Sequence, residues 1–269
     1  MEGVQMPLFE ISRKPGLRGI IVGLLFLLAW AAIPQAALAD EDDDPSGGVE
    51  RSLGIDEAWV ENALYLFTFA DNDFSTGHSV NFQVEEDIAF SKNFGADVGF
   101  PALLLTQPLG SGPATWGPLS LAFKYVAYRF GTPKSASSGI FSLQAGAGLA
   151  TSNLLPGLGS TLQMEGMGAF RADKFFIQGS YGFNAALDAS PLSGWFADTA
   201  LGINLSSEWV LLGESDFNGN TFLNDGSRGT RWTFVPQVGF SAGPWFLELG
   251  EEINASLSGT SVLMVERDF

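Results

Sequence analysis

Between residues 57 and 269 this chain repeats one pattern: a segment of about ten to fourteen residues alternating in polarity, followed by turn residues. Ser79–Phe90, SVNFQVEEDIAF, shows it plainly. Val80, Phe82, Val84, Ile88 and Phe90 share one parity. Ser79, Asn81, Gln83, Glu85, Asp87 and Ala89 share the other, and only Glu86 interrupts the apolar set. Successive side chains of a strand point to opposite faces, so this reads as an antiparallel strand with an oily side and a wet side. A soluble sheet turns the oily side to its core, whereas a membrane barrel turns it to lipid and encloses the wet one.

Roughly twelve such segments can be read, at 57–70, 78–91, 93–105, 118–130, 139–150, 160–171, 174–186, 195–206, 207–217, 229–241, 244–256 and 259–269. The first, ninth and last are the weakest. Connections after even-numbered segments are mostly short: Lys92-Asn93, Ala172 to Lys174, Ser206 to Glu208, Ala242-Gly243. Those after odd-numbered segments are mostly longer and rich in Gly, Pro, Asn and Asp, as from Asp71, Thr106 and Phe217. The stretch from Thr132 to Ser138 is too long for its place, and the link before Thr260 is too short. Alternating turns and loops are the arrangement of outer-membrane barrels, and about nine to eleven residues cross the hydrocarbon, whereas soluble strands average about five or six. Trp116, Phe130, Phe141, Phe170, Phe175, Trp195, Trp209, Trp232 and Trp245 lie near segment ends, as interfacial girdles require. A spanning sheet has to close, because an open edge in hydrocarbon leaves backbone groups unsatisfied. The expected fold is therefore all-β, an antiparallel transmembrane up-and-down β-barrel of about 12 strands, with 10 or 14 as the neighbouring even counts.

The start of the chain fits export. Arg13, Lys14 and Arg18 precede an apolar run from Gly19 to Ile33, and Ala37-Leu38-Ala39 supplies small residues for cleavage. Residues 1–39 are expected to be a signal peptide, 40–56 an acidic flexible leader and 57–269 the barrel. The cell outer membrane is then the expected location. With no cysteine in 269 residues, disulfide frameworks and thiolate metal sites are excluded. A formal net charge of −17 argues against nucleic acid as a partner. No cofactor or metal is expected.

The C-terminal VLMVERDF ends in Phe269 on an amphipathic last segment. This resembles the terminal assembly signal of bacterial outer-membrane barrels, which implies outer-membrane lipid and the barrel-assembly machinery as partners. Leu263 and Val265 keep the expected parity; Ser261 and Arg267 depart from it. GPLSLAFKYVAYRFG (Gly117 to Gly131) is similar to a strand of predicted transporters named for the meta-pathway of phenol degradation, and FSLQAGAGLATSN (Phe141 to Asn153) is compatible with that family. The resemblance covers about a third of the chain and implies uptake of small, often aromatic or hydrophobic molecules.

By parity the lumen receives Glu85, Asp87, Asp97, Lys124, Gln144, Gln163, Glu165, Arg171, Gln178, Asn184, Asp198, Arg231, Gln237 and Glu248. The acids outnumber the bases, which disfavours anions and admits cations or neutral solutes. Val126, Phe176, Phe196, Val235 and Phe246 share the inward parity and narrow the lumen. A channel or transporter for small neutral, hydrophobic or weakly cationic solutes is expected. The alternative is a non-conducting structural or surface barrel, its interior closed by ion pairs and its loops making contacts.

An enzyme is not expected. The single histidine, His78, adjoins Ser79, and neighbouring strand residues face opposite ways, so they do not form a nucleophile–base pair. Asp216-Phe-Asn218-Gly-Asn220 opens like a calcium loop but carries Thr221 where glycine is needed and Ser227 where glutamate is needed, so it is expected to be an ordinary extracellular loop.

Overall fold

The computed structural model describes residues 49, 51–53, 55–73, 77–106, 115–116, 119–131, 135–149, 160–186, 194–222, 228–254 and 259–269, and these contain strands and no helix. Residues 1–39, expected as a signal peptide, and most of the expected acidic leader lie outside the described residues. Twelve long strands form the wall: β1 (Ala63–Asp73), β2 (Gly77–Ser91), β3 (Phe94–Thr106), β5 (Leu119–Phe130), β6 (Ser137–Leu149), β7 (Thr161–Ala172), β8 (Phe175–Ala186), β9 (Gly194–Asn204), β10 (Trp209–Phe222), β11 (Arg228–Ala242), β12 (Trp245–Asn254) and β13 (Gly259–Asp268). A two-residue strand, β4 (Thr115–Trp116), pairs with the end of β3 at Leu103 and Leu104. Every long strand pairs antiparallel with its neighbours, and β1 closes onto β13 from Ala63↔Asp268 to Asp71↔Thr260. The fold is a closed twelve-stranded barrel with no free edge.

One rim carries the short turns. Lys92-Asn93, Asp173-Lys174, Leu205 to Glu208 and Gly243-Pro244 lie there, together with Asn62 and Phe269, whose backbone N–H donates to the Asn62 carbonyl at 3.0 Å. Gly243 (φ 62°) and Asp173 (φ 57°) take the left-handed backbone that tight hairpin links require. The link between Phe130 and Ser137 is shorter than the sequence implied, because β6 starts before Gly139. Two other expectations change. β10 continues to Phe222, so Asp216 to Asn220 is strand rather than loop. β1 starts at Ala63 rather than 57, because the preceding residues turn into the barrel.

Parity sorts the side chains. Leu143, Met164, Ile177, Leu201, Leu247 and Leu249 are exposed on the outer face. Rings flank this aliphatic band. Phe94, Phe130, Phe170, Phe175, Trp209 and Trp245 sit toward the short turns; Phe183, Trp195, Phe217 and Trp232 sit toward the other rim. A continuous apolar belt of this extent is unsuited to water and is what a barrel presents to lipid.

Inside the short-turn half, inward Val126, Met167, Phe176, Val210, Val235, Phe246 and Met264 share one apolar core with Val49, Leu53, Trp59 and Val60. The described residues between 49 and 62 therefore fill that half of the lumen. Gly95 and Gly250 make room for it, since a Cβ added there would stand 2.5 Å from Val60 and 2.6 Å from Leu53. Within 40–56, the stretch expected as a flexible leader, Arg51, Ser52, Leu53 and Ile55 are buried inside the barrel.

Candidate functional site

In the other half of the lumen is a cavity of about 420 Å³. β2 and β3 contribute Gln83, Glu85 and Asp97; β6 and β7 contribute Gln144, Gln163 and Glu165. Asn184 comes from β8, Phe196 and Asp198 from β9, and Asp216 and Asn218 from β10, while Asp56 of the docked segment completes the lining. Among the described residues, six carboxylates line this space, and no lysine or arginine does. Such a lining attracts cations, accepts hydrogen bonds from neutral donors and repels anions.

The floor is an ion-pair network joining the docked segment to the wall. Arg51, buried, pairs with Glu57 at 2.5 Å, Glu85 at 3.0 Å and Asp56 at 3.4 Å. Its guanidinium also lies over the rings of Tyr65 (4.1 Å to the centroid) and Phe67 (5.1 Å). Lys124 from β5 meets Glu57 at 3.3 Å, Asp97 at 3.4 Å and Asp87 at 3.9 Å. Hydrogen bonds extend the anchorage: Gln144 Nε2 donates to Asp56 at 3.1 Å, Ser52 Oγ lies 3.0 Å from Gln237 Oε1, and Ser52 donates to Glu214. Burial alone would raise the Glu57 carboxyl, but Arg51 and Lys124 outweigh it and hold its pKa at about 2. Burial, with Glu57 and Asp268 adding repulsion, pushes Glu61 up to about 8.

The residues singled out from sequence thus fall into several places. Glu85, Asp97, Gln144, Glu165 and Asp198 meet around the cavity. Asp87 and Lys124 lie in the network beneath it. Glu248 is fully buried on β12. Arg171 stands apart at the short-turn rim, donating to the Ser135 carbonyl at 3.0 Å and the Asp173 carbonyl at 3.2 Å. Arg231, half-exposed, faces Glu252 at 3.7 Å. Phe269 ends the chain beside Arg267, whose guanidinium lies 5.0 Å from its ring. Sequence reasoning missed Arg51, Asp56, Glu57 and Glu214, and placed Asp216 in an extracellular loop instead of at the cavity.

Among the described residues, two carboxylate groups come close enough to share a metal ion, Glu57–Glu61–Asp87 and Glu61–Glu266–Asp268. Arg51 and Lys124 already neutralise Glu57 in the first. His78 and Ser79 fall next to each other on β2, as their adjacency requires.

No protein-family model and no curated protein matches the sequence. Solved structures of similar topology exist. One chain, from work on in-meso crystallization of membrane proteins, is 9% identical and aligns over 77% of this chain and 83% of that one, with a TM-score of 0.47. OccAB4 of Acinetobacter baumannii is 6% identical over 78% of this chain and 98% of that one, with a TM-score of 0.41. The outer-membrane protein Omp33 of the same organism is 12% identical over 79% and 99%, with a TM-score of 0.36. At such low values the assignment to a membrane rests on the belt, the girdles and the closed wall themselves.

Proposed function

We propose that this protein is exported by its N-terminal 39 residues and spans the outer membrane as a transport barrel. In this reading it takes small cationic or neutral solutes into the acid-lined cavity. The observation that carries the reading is the cavity lining: among the described residues, six carboxylates, amides and no base, inside a wall whose outer face is apolar. Phe196 and the neighbouring apolar positions leave room for uncharged cargo as well, in line with the resemblance to transporters of aromatic compounds.

Ion preference tests the reading. In planar bilayers under a KCl gradient, whatever current the barrel passes should reverse on the potassium side. Glu85→Gln combined with Asp198→Asn should move that reversal potential toward zero. Anion preference, or a double variant with unchanged selectivity, would count against it.

The filled short-turn half favours a second reading, a non-conducting barrel acting at the cell surface. Complete absence of current and solute flux, even after residues 49–60 are removed from a folded barrel, would establish that alternative.

A further inference from the structure

The ion-pair floor of the cavity has the chemistry of a cation-binding box. Three carboxylates, Asp56, Glu57 and Glu85, surround the Arg51 guanidinium, and the faces of Tyr65 and Phe67 lie against it. Carboxylate forks plus aromatic faces are how proteins recognise guanidinium and ammonium groups. Here the occupant is part of the chain.

Two of the three carboxylates do double duty. Asp56 and Glu85 pair with Arg51 and also line the cavity. A cation arriving in the cavity therefore meets oxygens that already hold the segment in place. The segment is packed against the wall but is not part of the sheet. Among the described residues, no backbone–backbone hydrogen bond joins 49–60 to a barrel strand, the Leu53 N–H faces the Gln237 side chain at 3.5 Å, and the one β-bridge, Ser52↔Ile55, is internal. Side-chain contacts hold it, and it enters β1 through Glu61 and Asn62 at the short-turn rim.

We infer that Arg51 is a built-in stand-in for a guanidinium- or ammonium-bearing solute, and that such a solute opens the barrel by competing with Arg51 for Asp56 and Glu85. This rests on the transport reading and names its trigger. Linkage makes the relation reciprocal: a docked Arg51 lowers affinity for the solute by the same factor by which the solute lowers docking.

The test uses the full-length protein in planar bilayers, with argininamide on the loop side and uncharged citrullinamide as control. Argininamide should raise open-channel current at least about tenfold, and citrullinamide should not. Arg51→Gln should be open without either compound. Because the chain has no cysteine, Ser52→Cys with Gln237→Cys can be joined by a short bis-methanethiosulfonate linker, each thiol forming a disulfide as methanesulfinate leaves, and this form should stay closed in argininamide until a reductant cleaves the disulfides. Equal responses to the two amides, or an Arg51→Gln barrel no more open than the parent, would overturn the inference. A barrel lacking residues 49–60, checked for folding by heat-modifiable gel migration, separates the two ideas. If it carries cation-selective current while argininamide leaves the parent unchanged, the trigger fails and transport stands. If it is folded and silent, the transport reading fails, and the trigger with it.

Discussion

Glu57 holds two bases at once, Arg51 of its own segment and Lys124 of the wall, with all three side chains buried. Replacing one member of such a network leaves the others charged and desolvated. Glu57→Gln should therefore destabilise the folded barrel by about 3 kcal/mol, measured by urea unfolding in detergent or lipid. Two groups of the docked segment and its junction with β1 respond to pH in opposite directions. Glu61, facing Trp59, Tyr65, Glu57, Glu266 and Asp268, has a docked pKa above its free value. Its contribution is complete below the free value and is lost as pH rises toward about 8. Glu57 behaves oppositely, favouring docking above its free value and losing that contribution as pH falls toward about 2. Protease clipping within 49–60 should accordingly increase from about pH 5 to about pH 8, and Glu61→Gln should flatten that rise. An unchanged rise in the variant would assign it to another group.

At the scale of the strand, the outer and inner faces obey different rules. Leu143, near the middle of β6 and half exposed, faces outward; Gln144 beside it is buried and faces the cavity. Leu143→Arg should cost about 2–4 kcal/mol in lipid, read as a fall in the unfolding free energy of the reconstituted barrel. Gln144→Arg should instead be accommodated by the surrounding carboxylates. The same contrast explains what could be read from sequence. β2, β7 and β8 alternate clearly because lipid lies on one side and polar groups on the other. β1 does not: Tyr65 and Phe67 point inward against the docked segment while Leu64 and Leu66 lie on the outward parity, so both faces are apolar. In β10, Val210 and Leu212 serve the same inner core before Glu214 meets Ser52 of the docked segment and Asp216 reaches the cavity. That hid two carboxylates. The docked segment itself was illegible because, besides the local pairing of Arg51 with Asp56 and Glu57, its polar side chains meet wall residues 34 to 185 positions away, which local patterning does not reveal.

For the molecule as a whole, one half of the lumen is packed like a soluble core and the other is a polar cavity, within a single wall whose belt faces outward. The strand pattern made the wall visible, since twelve roughly predicted segments became twelve long strands with ends shifted by a few residues. The division of the interior was not visible, because it is created by a segment that crosses the lumen instead of joining the sheet. The central claim is the direction of the two faces, and the absence of cysteine makes it directly measurable. Single cysteines at Ser142, Leu143, Gln144 and Ala145, each spin-labelled and reconstituted in lipid, can be compared for collision with oxygen and with a water-soluble nickel chelate. Positions 143 and 145 should favour oxygen, and 142 and 144 should not. Strong nickel collision at 143 and 145, with no alternation along the strand, would contradict the account.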